Sequence, residues 1–408
     1  MVSGGIDIVG TAFQPIVEIS SGRVVAHEAL SRFADGDGVV TPDVAFSDAY
    51  ASGRIESVDA DCLERAVDAA GAFGGRDAHE LFLNVEPPTL WRRELPAALR
   101  RGLPVTIEIT ERALGQDTGR LLGAIRRLRE LGHAIAVDDL GAEPATLALL
   151  PLIAPDVIKL DMGLIRQRPD RHAARIMTAI ADYAGRSEAL VLAEGIENER
   201  HEVMARALGA TLGQGWHYGR PAPASAAAPV ATSREERDEW RAQVSRSAAA
   251  AAAVDTSATP FELVATAIEP RRAERGLLLQ VSRFLEERAS AGGDTAVLLA
   301  TFQREANVTP GTRARYEWLV DRGCLLTVFT VGESAGLPAP AQNRVIADDD
   351  RLAAEWDVIV LTADHAAALT AREVDPSERP GSEYDFVLTT DRELVTRAAR
   401  ALLTSGRG

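Results

Sequence analysis

Two adjacent carboxylates, Asp138 and Asp139, stand at the end of the apolar run Ala134–Val137, with Leu140 and Gly141 just beyond. A short apolar run bounded in this way reads as a buried parallel strand. At an effective dielectric of about 20, two like charges ~4 Å apart repel by about 4 kcal/mol. Solvent, a proton or a cation must offset that repulsion. One aspartate capping a helix beside a solvated neighbour is the plain account of the pair. A metal site is the sharper account, and the rest of the chain decides between them.

Polar groups recur wherever a short apolar run ends. Glu28 closes the stretch RVVAHEAL (23–30), Asn84 lies near the end of LFLNV (81–85), and Glu108 ends PVTIEI (104–109) with Glu111 three residues on. Lys159 lies in DVIKL (156–160) with Asp161 just past it, Glu194 ends ALVLAE (189–194) ahead of Glu197, and Gln214 ends ATLGQ (210–214). Gln14 lies early in AFQPIVEI (12–19). Taken singly, each has a plain role as a helix cap, a turn residue or a snorkelling lysine. Taken together they are not what core packing would select. Hard oxygen donors without His or Cys clusters favour Mg²⁺ or Mn²⁺ over zinc. Side-by-side aspartates can serve two ions, one carboxylate bridging. Sites with two ions about 3.5–4 Å apart typically hydrolyse phosphodiesters. Lys159 would orient the attacking water or stabilise charge developing on phosphate.

These residues need a scaffold that brings strand ends together. AFQPIVEI and RVVAHEAL flank the turn Ser20-Ser21-Gly22 and should pair antiparallel. A long helical stretch follows over 42–73, and further helices over 117–131 and 171–186 separate the later strands. Eight strands with intervening helices indicate an α/β fold, a modified (β/α)8 TIM-like barrel whose first strand is reversed. Its active-site rim is the carboxyl end of the strands. Because the first strand is reversed, Gln14 reaches that same rim.

The barrel is expected over residues 1–222, followed by an Ala/Pro-rich, partly helical linker over 223–258. Ser233 and Glu236 have the spacing of a capping box, and the alanine run 248–253 favours helix. A smaller α/β domain takes up 259–408, with a helix over 261–289 and strands at 295–300, 325–330, 356–361 and 384–389. A final helix follows Asp391. This domain shows no phosphate-cradling glycine motif and no acids clustered at strand ends.

The 408-residue chain is 46% hydrophobic, so sizeable cores can form, and its net charge of −16 argues against binding long nucleic acid. Its two cysteines, Cys62 and Cys324, are far apart and form no ligand pair, which fits a reducing compartment. Cys324 reads as a core residue. No signal peptide and no apolar run of about 18 residues is evident, so a cytoplasmic protein without membrane insertion is expected.

The stretches FQPIVEI, HEALSRF, LFLNVEP, VTIEITER, VDDLGA, DVIKLD, LAEGIEN and GQGWHYGRP closely resemble, in order over 12–221, the EAL family of cyclic di-GMP phosphodiesterases. The resemblance implies hydrolysis of cyclic di-GMP to linear pGpG. It implies that Glu28, Asn84, Glu108 and Asp138 hold one ion, and that Asp138, Asp139 and Glu194 serve the other. Lys159 would contact the attacking water. Gln14, Leu30 and Arg32 would meet the substrate, with Arg32 on phosphate. Glu111 would tie down the loop after the fifth strand, and Asp161, Glu197 and Gln214 would support the site. One departure stands out: the family's usual DDFGTGYSSL is here DDLGAEPATL, with Pro144 stiffening the stretch Leu140–Thr146. That loop is linked to dimerisation in the family, so a homodimer is an expectation whose geometry this departure affects. The second domain is similar to the DICT sensory domain through ERGLLLQ, LLATFQREANV, LLTVFTV and YDFVLTTDRELVTRAARAL, which implies a sensed ligand or protein of unknown identity. A binding module that holds cyclic di-GMP without cutting it is the alternative function.

Overall fold

The structure, a computed structural model, describes residues 5–405 apart from 37, 72–79, 104, 141–143, 167–170, 228–239, 241, 243, 245–257, 293–295 and 375–382. The chain forms two compact units. The first comprises Met1–Ala113, Gly123–Ala142 and Ala154–Ala252, and the second Leu114–Leu122, Glu143–Ile153 and Ala253–Gly408. Among the described residues no helix is long and apolar enough to cross a membrane.

In the first unit, β1 (Asp7–Glu18) and β2 (Arg23–Asp35) pair antiparallel as the two alternating stretches require, with Gln14 opposite Glu28. Gly22 closes the turn at φ 69°, a conformation that costs glycine nothing because it has no Cβ. Both strands outrun their apolar stretches, and β3 (Gly38–Val40) adds to the far end of β2. Then come β4 (Glu80–Asn84), β5 (Val105–Thr110), β6 (Ala134–Leu140), β7 (Val157–Leu160), β8 (Leu190–Ala193) and β9 (Leu212–Gln214). They form a parallel series that starts from β2. β9 pairs back onto β1 antiparallel, which closes an eight-strand barrel in which β1 runs against both neighbours. Ile16, Phe82, Ala136, Val157 and Leu192 from five of these strands share one buried cluster. The single helix expected over 42–73 is two, Pro42–Ala51 and Ile55–Ala70. Gly53, at φ 67°, breaks it in the left-handed conformation that commonly ends helices.

The second unit holds a seven-stranded sheet. Its strands are β10 (Arg271–Glu274), β11 (Ala296–Phe302), β12 (Leu325–Val331), β13 (Gln342–Ile346), β14 (Glu355–Thr362), β15 (Ala366–Glu373) and β16 (Glu383–Thr389). They lie in the order β10-β16-β15-β14-β11-β12-β13. The helix expected over 261–289 is interrupted. Pro260–Ala265, opened by a Thr259–Glu262 capping box, gives way to β10 before the helix Arg275–Gly292. Pro270 lacks an N–H and biases Glu269 toward extended backbone, which prevents helix from continuing and fits the strand that begins at Arg271. The sheet also contains β13 and β15, which the sequence reading passes over; QNRVI is largely polar and AAALTARE is rich in alanine, so neither carries a strand signal. Two buried acids, Glu355 and Asp357, lie at the start of β14. Cys324 is a core residue here, its thiol pushed up to about 12 by burial. The Ser233–Glu236 spacing and the alanine run 248–253 lie outside the described residues.

Candidate active site

Side chains alternate along a strand, so Glu28, Leu30 and Arg32 share one face of β2. Glu28 is 7% exposed and is held from two sides: Asn84 Nδ2 donates to its Oε1 at 2.9 Å and Gln214 Nε2 to its Oε2 at 2.7 Å. Asn84 ends β4 in register with Glu108 on β5, and Thr110 of β5 is in register with Asp138 on β6. Lys159, from β7, is 1% exposed and lies among the carboxylates. Its Nζ is 2.6 Å from Glu194, 2.7 Å from Glu108, 2.9 Å from Asp138 and 3.8 Å from Glu28.

In a regular strand Asp138 and Asp139 would point to opposite faces. They do not, because β6 is bulged here. Val137 pairs with Ile158 and Leu140 with Leu160, so β6 spends one residue more than β7 over the same span. A bulge re-aims the side chains it contains. Asp139 takes φ 56°, which L residues other than Asn and Asp rarely adopt, and its N–H donates to Asp138 Oδ1 at 2.9 Å. The result is that ligand atoms of Asp138, Asp139 and Glu194 all lie within 4.8 Å of one another.

Four carboxylates, Glu28, Glu108, Asp138 and Glu194, thus lie within 4 Å of one ammonium, beside a cavity of about 470 Å³ whose lining includes Glu28, Asp138, Lys159, Glu194 and Gln214. Burial resists charging Lys159, but Asp138, Glu108, Glu194 and Glu28 together overcome it and hold its ammonium well above the usual lysine range. Burial, with Glu28 and Asp138 nearby, raises Glu108 well above the usual carboxylate range. Burial likewise raises Glu194 to about 8, against the opposing pull of Lys159, and it raises Asp139, where the charge of Asp138 adds to it. Burial also acts to raise Glu28, but Lys159 and the donors Gln214 and Asn84 prevail and hold it low. Apart from the Lys159 contact, the oxygens of Glu108 meet no hydrogen-bond donor among the described residues. A group of oxygen ligands this crowded and this short of donors fits hard divalent cations.

Residues 7–221, more than half of the chain, match the family model described as the EAL domain. The chain belongs to the EAL family. Residues 260–374 match a second model, DICT, described as a sensory domain in diguanylate cyclases and two-component systems. An uncharacterized signaling protein of Caulobacter vibrioides is 32% identical over 225 residues, 52% of this chain and 27% of that protein. The probable cyclic di-GMP phosphodiesterase PdeB of Escherichia coli is 28% identical over 221 residues, 52% of this chain and 42% of that protein. The chain therefore spans less than half the length of either relative. A solved Klebsiella pneumoniae BlrP1 complex with manganese and cyclic di-GMP is 28% identical, with a TM-score of 0.45, covering 54% of this chain and 60% of that one.

The EAL-domain residues expected from sequence fall into two groups. Glu28, Asn84, Glu108, Asp138, Asp139, Lys159, Glu194 and Gln214 converge as described, and Gln14 and Leu30 line the same cavity. The others are peripheral. Arg32 lies two residues farther along β2, its Nη1 on the carbonyls of Leu30 and Ser31. Asp161 accepts from Gly163 N–H at 2.7 Å and so secures the first turn after β7. Glu197 pairs with Arg166 at 2.6 Å at the cavity rim. Glu111 is buried at the head of the short helix Glu111–Leu114, while residues 141–143 of the loop it would hold lie outside the described residues. Sequence reading missed Met162, Arg166 and Trp216 on the cavity wall. Only Trp216 carried a signal, as a large aromatic two residues past a strand-end glutamine.

Proposed function

We propose that this chain is a phosphodiesterase that opens cyclic di-GMP to linear pGpG with two Mg²⁺ or Mn²⁺ ions. The observation that supports this most is the β6 bulge, which brings both aspartates to one point with Glu194, beside a buried, ion-paired lysine. The names of relatives such as PdeB agree with it. Glu28, Asn84, Glu108 and Asp138 would hold one ion, and Asp138, Asp139 and Glu194 the other. Ions held there supply Lewis acidity and lower the pKa of water at the site. Water adds to one phosphorus, the P–O3′ bond breaks, and the departing 3′ oxygen takes a proton. Lys159, fixed by three carboxylates, positions that water and stabilises charge on the phosphoryl oxygens as a fixed cation. Gln14 and Leu30 line the way for the ligand, and Arg32, two residues farther along β2, would meet phosphate. Asp161, Glu197 and Gln214 hold the surrounding backbone and side chains, and Glu111 anchors the loop beyond Leu140.

The test is chromatography of cyclic di-GMP incubated with the full chain. With Mn²⁺ or Mg²⁺ the product is linear pGpG, and with chelator there is none. Bound but unchanged ligand in the presence of metal would mean a receptor instead.

The second half of the proposal is that the DICT-like domain regulates the barrel. The sensory description of its family supports this. Coupling needs two states that both sites bias. A flexible Gly-Ser insert within 248–253 is expected to change the hydrolysis rate or its dependence on protein concentration. Identical rates in the parent and the insert, with and without cell extract as a source of signal, would leave the domain as a tether.

A further inference from the structure

Trp216 is an anomaly on the cavity wall. Trp216 is 55% exposed, yet the backbone on either side of it is tightly constrained. Gly215, at φ 150°, has no room for a Cβ, which would stand 2.1 Å from the carbonyl oxygen of Ile196. His217 N–H donates to that carbonyl at 3.0 Å, and the N–H groups of Tyr218 and Gly219 both donate to the carbonyl of Gly215 at 3.0 Å. A Cβ on Gly219 would meet Pro15 Cγ at 2.8 Å, so this end of the turn is wedged against β1. The Tyr218 hydroxyl donates to Glu202 at 2.8 Å and ties the turn to the helix Glu199–Ala207. On this rigid turn the Arg220 guanidinium lies 3.8 Å from the centroid of the indole. One face of the ring is therefore braced by a cation while the side chain still lines the cavity.

A large aromatic kept rigid and exposed, with one face already occupied, is preorganised to stack a flat group on the other. Preorganisation matters because an indole that need not be ordered on binding loses less entropy. The acidic floor of the cavity, loaded with divalent cations, would take the phosphates of an anionic ligand. The flat partner at the wall is then the ligand's heterocycle.

We propose that Trp216, braced by Arg220, is an affinity-setting platform on which one purine base of the bound cyclic dinucleotide stacks. This rests on the cyclic di-GMP reading above. Base–aromatic stacking is sequence-tolerant because every base presents a π-face. Trp216 therefore sets affinity, and the chemistry belongs to the acidic floor.

The experiment compares full-length wild type, Trp216→Ala, Trp216→Phe and Arg220→Gln in steady-state hydrolysis of cyclic di-GMP with Mn²⁺. Trp216→Ala is expected to raise KM at least tenfold with kcat changed less than threefold. Trp216→Phe should recover most of that loss, and Arg220→Gln should raise KM by a smaller factor. The rise in melting temperature on adding Mn²⁺ should be the same in Trp216→Ala as in wild type, which separates loss of the platform from loss of the fold. A KM for Trp216→Ala within twofold of wild type, or a loss carried by kcat alone, overturns the platform and leaves the phosphodiesterase reading standing. A wild-type chain that neither binds nor cuts cyclic di-GMP overturns both.

Discussion

Asp138→Ala is expected to lower turnover of cyclic di-GMP at least about a thousandfold, or about 4 kcal/mol of barrier. Asp138 is the carboxylate shared by both proposed ion sites, it is 8% exposed, and it lies 2.9 Å from Lys159. Glu28→Ala should behave alike, because it removes the acceptor on which Asn84 and Gln214 both converge. Neither change should unfold the barrel. In the Asp138 variant Lys159 keeps Glu108 at 2.7 Å and Glu194 at 2.6 Å. Metal that binds only the folded state raises its melting temperature, so the Mn²⁺-induced rise expected of the parent should shrink in both variants. Near-normal turnover at limiting metal in either variant would remove that residue from the site.

The second large effect lies away from the chemistry. Asp59, on the helix Ile55–Ala70, is 1% exposed and accepts the backbone N–H of Glu86 at 3.1 Å, which pins the chain just after Asn84. Burial raises its carboxyl from 3.8 to about 7, only partly offset by hydrogen bonds such as that from Glu86. A folded value above the unfolded one means a contribution to stability that is complete below about pH 4 and is lost as pH rises to about 7. At about 1.4 kcal/mol per unit, the loss across that window is about 4 kcal/mol. Asp59→Asn keeps an acceptor for Glu86 and cannot ionise. Its stability relative to the parent, from denaturant unfolding of the transition that includes this helix, should therefore climb between pH 4 and pH 7. Parallel pH profiles for the two proteins would show that Asp59 does not titrate in that range.

Much of the site was legible because strand-end acids are costly unless used. Glu28, Glu108, Lys159 and Glu194 each closed or interrupted an apolar run, and the barrel rim was the one place where eight such ends could meet. The bulge was not legible. Nothing in AIAVDDLG shows that β6 spends an extra residue against β7, since that follows from pairing with a strand 20 residues away. Without the bulge, adjacency alone would have set the two aspartates on opposite faces. Asp59 was hidden for a related reason: an acid in an amphipathic helix looks solvated until the segment that covers it is known. In the second unit, β15 failed as a sequence signal because alanine favours helix, yet its residues Ala366–Leu369 are buried within the sheet. Tertiary pairing overrode local propensity there.

The backbone of Asp139 also bears on how this protein could have a non-cutting counterpart. At φ 56° most L residues are strained, and glycine, asparagine and aspartate are the ones that tolerate it. Asparagine has the same shape as aspartate, fits the same twisted backbone and carries no charge. The ligand cavity, the Lys159 cluster and the barrel can therefore persist while one carboxylate is lost at the point where two ions would meet. On the proposed reading, an enzyme and a receptor for the same messenger would stand one amide apart on this scaffold, and the conformational restriction at Asp139 would narrow the neutral routes between them.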